Sequence, residues 1–427
     1  MILLLVFIIM FVLMGLGLEV FISMGISSII YLLLQEIPLT LIAERMVGGI
    51  SYSFLAIPFF MLAGELMNVS GITKKLTKFA LFFVGHLKGG LAYVAVIVNL
   101  ISAGVSGSAP ADASAVSSVL LPAMEEENYK PDFAAAINGA SATIGPIFPP
   151  SIPMVFLGLI TELSVGRLFL GGVIPGILMA GTLMIMVFIK VRKISLKNSK
   201  IKIERSLKGF LKIFWESIFA LLAPIIIIWG IVGGITTIVE ASILICLYTL
   251  FVGVVIYRSV KLKDILNIFS RTAVFSSNVM ILFSVIGIFS WVVANEQLGQ
   301  IIANIIIQFD LGPYGFLLAI NVLFLFLGMV IDAIPAMLIF FPVLLPTAIN
   351  LGIDPTHFGV VVILNLMIGL NTPPVGALLF VESKISGVPF MKLTKATLPY
   401  TAALILLLAL TTYLPSMVTF LPNLLMP

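Results

Sequence analysis

Charged residues, cysteine and histidine are all scarce in this sequence. Only 10% of its 427 residues are Asp, Glu, Lys or Arg, whereas a soluble domain carries about 25%, so a soluble enzyme is excluded. The single cysteine, Cys246, and the two histidines, His86 and His357, provide no disulfide and no Cys/His metal cluster. The sequence also contains no Gly-Lys pair, which a P-loop requires. Any energy that the protein uses must therefore come from an ion gradient or from another subunit.

Long apolar segments are what the sequence has in abundance. Hydrophobic residues make up 61% of the chain, and the mean hydropathy is +1.24. Because a helix needs about 20 apolar residues to cross a bilayer, this length allows roughly ten to fourteen crossings. We therefore predict an all-α polytopic protein embedded in a lipid bilayer. The first segment has no basic n-region and no A-x-A cleavage pattern, so it is predicted to be a retained helix.

The positive charge is concentrated in one loop. Nine of the 23 Lys and Arg residues lie between Lys190 and Lys212, where Glu204 is the one acidic residue. Such loops stay on the cytoplasmic side of a membrane. We therefore interpret 191–212 as a cytoplasmic loop and not as a nucleic-acid-binding surface, with a patch for lipid headgroups or a partner as the alternative.

The two sides of this loop repeat each other. A single ungapped shift of 224 residues pairs Val-Leu-Leu-Pro at 119–122 with the same letters at 343–346, and Pro149-Pro150 with Pro373-Pro374. Prolines in register do not arise from apolar composition alone, so the sequence predicts a repeat of 1–190 in 213–427. Seven apolar segments in each half, an odd number, predict that the two repeats have inverted topologies. The alternative is a parallel repeat with six spans in each half, which applies if neither of the short segments 72–86 and 298–309 crosses the membrane.

Each repeat contains one short polar stretch at a depth where the bilayer should be apolar. In the first, 105–114 is small, polar and Pro/Gly-containing, and in the second, 328–335 carries one carboxylate and one proline. A bilayer allows irregular backbone only where protein or a water-filled cavity solvates it. These stretches therefore predict re-entrant hairpins at about 104–124 and 328–350.

Each repeat also contains an interrupted helix. The Pro-Pro pairs fall inside the apolar runs 132–160 and 357–386, and proline removes a backbone donor and clashes with the preceding turn. We predict two discontinuous helices, whose freed carbonyls and half-helix N-termini suit a cation and an anionic substrate group. A simple proline kink is the alternative.

Oxygen ligands for Na⁺ are available beside these breaks. Ser106, Ser108, Asn371, Thr372 and adjacent carbonyls are candidates, and Asp332 adds a full negative charge. An intramembrane carboxylate is by default a functional candidate. The same argument applies to the carboxylate of the first hairpin, Asp112, although it could instead cap the following half-helix.

Seven motifs together resemble the large membrane subunit of tripartite ATP-independent periplasmic (TRAP) transporters, the DctM-like permeases. The resemblance covers nearly the whole chain. The motifs are 56–64 (AIPFFMLAG), 106–113 (SGSAPADA), 145–151 (GPIFPPS), 233–241 (GGITTIVEA), 328–335 (GMVIDAIP), 352–359 (GIDPTHFG) and 371–376 (NTPPVG).

This resemblance implies a Na⁺-driven importer of organic acids in the bacterial inner membrane, with the fold of the ion-transporter superfamily and an elevator mechanism. It implies two partners, a small four-helix membrane subunit and a periplasmic substrate-binding protein, and a carboxylate substrate such as a C4-dicarboxylate, a sugar acid or a sialic acid. It places one Na⁺ site at Ser106, Gly107, Ser108, Gly145 and Pro146, and a second at Asp332, Asn371, Thr372 and Gly376. It places the substrate beside Ser106, Ser108, Pro149, Pro150, Ser151, Pro373 and Pro374.

Three other functions remain open to the sequence. The nearest is a Na⁺- or H⁺-coupled carboxylate transporter of the same fold that works without a binding protein. An intramembrane enzyme is disfavoured because the sequence has no histidine near the hairpin serines and neither an H-E-x-x-H nor a G-x-S-x-G motif. A passive channel would be recognised by rapid unitary currents.

Overall fold

The computed structural model describes residues 2–48, 52–192, 206–298 and 312–426, together with the single residues 301, 304 and 308. All regular secondary structure within these ranges is helical. Seven of the described helices are long and apolar enough to cross a membrane, or eight if one bent pair forms a single span. The chain is therefore an all-α polytopic membrane protein, as predicted. Most of the predicted basic loop, 193–205, and most of the segment 298–309 lie outside the described residues.

Ten α-helices precede the basic loop in the described ranges. They are α1 (Ile2–Gly15), α2 (Val20–Leu34), α3 (Thr40–Gly48), α4 (Ala56–Val69), α5 (Ile72–Val84), α6 (Gly90–Ser106), α7 (Ala109–Glu126), α8 (Pro131–Ala142), α9 (Ile152–Thr161) and α10 (Val165–Val191).

Nine further helices follow the loop in the described ranges. They are α11 (Leu207–Val232), α12 (Ile238–Phe251), α13 (Leu262–Asn295), α14 (Pro313–Val330), α15 (Ala333–Asn350), α16 (Pro355–Gly369), α17 (Ala377–Ser386), α18 (Phe390–Tyr413) and α19 (Ser416–Leu425).

The helix bounds follow the 224-residue shift of the sequence. Both ends of α7 map onto the ends of α15, and the proline that opens α8 maps onto the proline that opens α16. Similarly, α6, α9 and α10 correspond to α14, α17 and α18 within a few residues. The repeat thus extends to local structure, while the inverted orientation of the halves and their boundaries at 190 and 213 stay predictions.

The hairpin tips are shorter than the sequence indicates. Of the stretch 105–114, only Gly107 and Ser108 fall between helices, and α7 already begins at Ala109. Pro110 does not extend the tip because the first turn of a helix leaves its N–H groups unpaired, so proline removes no hydrogen bond there. In the second hairpin, the turn is Ile331 and Asp332. The helical arms therefore span 90–126 and 313–350, starting before the predicted 104 and 328.

The broken helices match their predicted positions closely. The interval between α8 and α9 is 143–151, and the interval between α16 and α17 is 370–376. Each contains its Pro-Pro pair, and both of these peptide bonds are cis. Because 143–151 and 370–376 are not helical, the two interrupted runs are breaks in the helices and not bends within continuous ones.

Two glycines hold the second hairpin against the second broken helix. A Cβ at Gly369 would lie 2.7 Å from the Cα of Gly328, and a Cβ at Gly328 would lie 2.9 Å from the carbonyl oxygen of Leu366. These are backbone atoms of packed helices, which cannot move aside as a flexible side chain can. The contact between α14 and α16 therefore requires glycine at both positions.

We expect Gly369→Ala to lower the free energy of unfolding by about 1–3 kcal/mol, because the added methyl group must push two packed helices apart. Thermal unfolding of the detergent-solubilised protein measures this loss. The matched control is Gly181→Ala in α10, where a Cβ meets nothing within 4 Å. Equal melting temperatures for the two variants would contradict the close approach.

Candidate ion and substrate site

The first hairpin tip rests on the start of α9. Gly107 has a φ of +55°, and a Cβ on it would lie 2.8 Å from the backbone nitrogen of Ile152 and 3.2 Å from the carbonyl oxygen of Pro150. A residue with a side chain would be both strained and obstructed there. The tip is therefore joined closely to the first helix break, as the predicted first Na⁺ site requires. The side chain of Ser106 lies outside the described residues.

Asp112 connects the two arms of the first hairpin. Its side chain is fully buried, and its Oδ1 accepts a 2.8 Å hydrogen bond from the hydroxyl of Ser102 on α6. The other carboxylate oxygen of Asp112 lies against Gly145, because a Cβ added to that glycine would be only 2.6 Å from it. Asp112 lies within the first turn of α7, where it follows the N-cap residue Ser108. The alternative in which Asp112 is the cap of this half-helix is therefore wrong.

Ser151 stabilises the first break from within. It is the N-cap of α9, where its Oγ accepts a 3.2 Å hydrogen bond from the backbone N–H of Met154 and donates to the carbonyl oxygen of Pro146. Only 1% of Ser151 is exposed. One side chain thus satisfies two backbone groups that the break would leave unpaired.

The second break is tied to the second hairpin through Gly376. Its backbone N–H donates to the carbonyl oxygen of Met329, 3.1 Å away, and its φ is +58°. A Cβ here would lie 2.9 Å from the carbonyl oxygen of Thr372 and 3.3 Å from that of Leu370. Glycine therefore lets two carbonyl oxygens of the break approach the same point. These are the hard oxygen donors that Na⁺ prefers.

Asn371 and Thr372 are buried in this break but differ in their contacts. The hydroxyl of Thr372 donates to the carbonyl oxygen of Ile368, 2.6 Å away. Within the described part of the chain, neither the oxygen nor the nitrogen of the Asn371 side chain has a hydrogen-bond partner. A buried amide without partners is costly, so this side chain has capacity for a ligand.

Asp332 is the exposed carboxylate of the site. It is the N-cap of α15, and its Oδ1 accepts a 3.1 Å hydrogen bond from the backbone N–H of Ile334. Among the described residues, only Oδ1 of its two carboxylate oxygens accepts a hydrogen bond in this way. Unlike Asp112, it lies on a cavity wall and remains accessible to an ion.

A cavity of about 230 Å³ lies between the two hairpin tips, and we call it the hairpin cavity. Three half-helices begin at its wall, because it is lined by the first residues of α7, α9 and α15. Their N-termini carry partial positive charge, which favours an anion. A second cavity of about 340 Å³ shares Asp332, Ile334 and Phe275 with it. The hairpin cavity is lined by Met61, Gly107, Ser108, Ala109, Pro110, Pro146, Ile152, Pro153, Phe275, Asp332, Ala333, Ile334, Met367 and Leu370.

The hairpin cavity brings together part of the predicted site. Gly107, Ser108 and Pro146 of the first predicted Na⁺ site meet Asp332 of the second. Met61 and Phe275 also line the cavity. Met61 belongs to the motif 56–64, whereas no sequence signal distinguishes Phe275 from other apolar residues. The remaining predicted residues that the structure describes do not line this cavity, and their roles stay predictions: Gly145, Pro149, Pro150, Ser151, Asn371, Thr372, Pro373, Pro374 and Gly376.

Comparison with known proteins agrees with this architecture. Residues 7–417 match the family described as the tripartite ATP-independent periplasmic transporter, DctM component. The chain belongs to this family. It is the large membrane component of a TRAP transporter, which makes it a multi-pass membrane transport protein and not an enzyme, consistent with the bacterial inner membrane.

Three relatives and one solved structure show how far the likeness extends. The sialic acid TRAP transporter large permease protein SiaM of Vibrio cholerae is 40% identical over 387 residues, 90% of this chain and 89% of the relative. The C4-dicarboxylate TRAP transporter large permease protein DctM of Pseudomonas aeruginosa is 36% identical, covering 87% of this chain and 86% of the relative. The sialic acid TRAP transporter permease protein SiaT of Haemophilus influenzae is 34% identical, covering 97% of this chain and 67% of the relative. The crystal structure of the YdaH transporter of Alcanivorax borkumensis, described as having an unusual topology, superposes with a TM-score of 0.60 at 14% identity, covering 87% and 86%.

We expect Asp112→Ala to destabilise this TRAP component by about 1–3 kcal/mol, because it leaves the buried hydroxyl of Ser102 without its acceptor. Thermal unfolding of the purified protein in detergent provides the measurement. Asp112→Asn is the control, since its side-chain oxygen can still accept from Ser102. If both variants melt at the wild-type temperature, the hydrogen bond does not hold the hairpin arms together.

Proposed function

We propose that this chain is the Na⁺-coupled importing subunit for an organic acid. The observation that most directly supports this proposal is that the N-termini of α7, α9 and α15 meet Asp332 at the wall of the hairpin cavity. One helix N-terminus stabilises an anion by about 0.3–1 kcal/mol, so three together contribute roughly 1–3 kcal/mol. An interaction free energy of this size orients a carboxylate without binding it too tightly for release, which suits a transporter.

Asp332 explains why a cation would be required. A carboxylate substrate entering the hairpin cavity meets the negative charge of Asp332, and the two repel each other. A Na⁺ ion at the second predicted site, held by Asp332, Asn371, Thr372 and Gly376, cancels that repulsion. Each ligand then raises the affinity for the other, which is the thermodynamic condition for symport. The first predicted Na⁺ site, around Gly107 and Gly145, adds a second ion at the other hairpin.

The relatives support the class of substrate and partners. Their names give sialic acid and C4-dicarboxylates, both carboxylates. "Large permease protein" implies a smaller membrane subunit, and this chain covers only 67% of SiaT, which leaves length in that relative for a further subunit. We propose that the present chain works with a separate small four-helix subunit and receives its carboxylate from a periplasmic substrate-binding protein. The hairpins and broken helices would then move together as an elevator against the remaining helices.

We expect Asp332→Asn to lower the affinity for Na⁺ and to abolish Na⁺-coupled uptake without reducing expression. The amide keeps the N-cap acceptor for Ile334 and removes only the charge. Uptake into proteoliposomes across a series of Na⁺ concentrations measures the effect. The matched control is Asp354→Asn, because Asp354 also caps a helix, by accepting a 2.9 Å hydrogen bond from the N–H of His357, but does not line the hairpin cavity. A wild-type Na⁺ titration in Asp332→Asn would remove Asp332 from the ion site.

Uptake of a labelled carboxylate panel under an inward Na⁺ gradient tests the whole arrangement. The proteoliposomes hold this chain with its small subunit, and each substrate is offered with and without the binding protein. We expect uptake only when both Na⁺ and the binding protein are present. Uptake with Na⁺ alone would instead identify an independent carrier.

A further inference from the structure

A buried carboxyl group outside the hairpin cavity joins the two halves of the chain. Glu382 lies on α17 in the second half, and only 1% of it is exposed. Both of its side-chain oxygens contact the hydroxyl of Ser117 on α7, at 3.1 and 2.8 Å. Its Oε1 also accepts a 2.7 Å hydrogen bond from the Nδ2 of Asn138 on α8. A carboxyl of one half is thus held by the hairpin arm and the broken helix of the other.

No cation neutralises this carboxyl among the described residues. Within the described part of the chain, the hydrogen-bond partners of the Glu382 side chain are Ser117 and Asn138, both neutral, and it forms no ion pair. An ionised carboxylate buried without a cation is strongly disfavoured, so such a group takes up a proton or a metal ion. The other titratable side chains on α17 and on the helices packed against it, α7, α8 and α18, are Asp112, Glu125, Glu126, Asp132, Lys384, Lys392, Lys395, Tyr400 and Tyr413.

The surrounding hydrogen bonds favour a proton over a metal ion. Asn138 points its Nδ2 at Glu382, and its orientation is fixed because Nδ2 also donates to the carbonyl oxygen of Ala113 while Oδ1 accepts from Asn99, each at 2.9 Å. A metal ion would meet N–H hydrogens on that side, where it needs oxygen donors. A proton needs only one carboxyl oxygen, and the hydroxyl of Ser117 can rotate from donor to acceptor.

A cavity lies beside this carboxyl group, on the side of Ser117. It has a volume of about 290 Å³, and its wall includes Ser117 and Ala134 from the first half and Ile385 and Ser386 from the second; we call it the α7 cavity. Since Ser117 both lines this cavity and hydrogen-bonds to Glu382, one hydroxyl separates the cavity from the carboxyl.

We propose that Glu382 is a proton-binding site that is loaded from the α7 cavity through Ser117. In the transfer, Ser117 gives its hydroxyl hydrogen to Glu382 and takes one from a hydronium ion in the cavity, which becomes water. The serine is unchanged, and the carboxylate becomes a neutral carboxyl. Because Glu382 bridges α17 and the arm of the first hairpin, binding this proton removes a buried charge at the contact between the halves.

Infrared spectroscopy of the full chain, purified with any membrane subunit that accompanies it, tests the site directly. A difference spectrum between acid and alkaline pH should contain the C=O band of a protonated buried carboxyl, and Glu382→Gln should lack it. The matched control is Glu126→Gln, an exposed carboxylate on α7 that does not line the α7 cavity. A band that survives in Glu382→Gln, or one that Na⁺ removes at constant pH, would overturn the proposal.

The route is tested separately with Ser117→Ala. This variant should keep the carboxyl band but slow its appearance after a rapid drop in pH, because the relay hydroxyl is gone. Wild-type kinetics in Ser117→Ala would contradict the route. Neither experiment contains a carboxylate substrate, a sodium gradient or a binding protein. The proposal of a proton site can therefore be wrong while the proposal of Na⁺-coupled uptake is right, and the reverse is equally possible.

Discussion

Unpaired backbone groups inside a membrane are the constraint on which the rest of this structure depends. A helix that stops within a bilayer leaves N–H and C=O groups that lipid cannot solvate. Here the breaks at 143–151 and 370–376 are solvated by protein: the hydroxyl of Ser151 binds the carbonyl of Pro146, and the N–H of Gly376 binds that of Met329. Three of the helices that begin at such breaks and hairpin tips start at the wall of one cavity. The requirement to satisfy the backbone thus places the positive ends of three helices at one cavity, which is the arrangement that the proposed anion site uses.

The two repeats solve this problem with different residues. The 224-residue shift aligns the N-cap Ser108 with the N-cap Asp332, whereas Asp112 aligns with Ala336. Each hairpin therefore has one carboxylate near its tip, but at a different position relative to the start of the helix: Asp332 is the N-cap residue, and Asp112 lies in the first turn. The first is buried against Ser102 and the second lines the cavity. In the proposed mechanism, two equivalent carboxylates at the cavity would repel an anionic substrate twice, whereas this divergence leaves one charge for Na⁺ to neutralise.

The sequence predicts the breaks well because proline and glycine act locally. A Pro-Pro pair lies in each break, and the bounds of α7 become those of α15 when 224 is added to them. It predicts the hairpin tips less well because Pro110 can begin a helix as readily as it can end one. It does not predict the wall contributed by Phe275, since tertiary packing alone distinguishes this cavity-lining apolar residue from a core residue. The partnership of Glu382 with Ser117 joins residues 265 positions apart, so no local pattern reveals it.

The position of Glu382 suggests how charge could control movement. Its carboxyl touches the hairpin arm and the broken helix of the first half, while Asp332 lies at the hairpin tip of the second. If the hairpins and broken helices move as one body, the contact between α17 and α7 stays buried throughout, and a charge there is opposed in every position. A charge at Asp332, in contrast, is exposed to the cavity and is neutralised only when a cation enters. The two carboxyls would then act differently: one sets the internal stability of the moving body, and the other makes its binding of substrate depend on an ion.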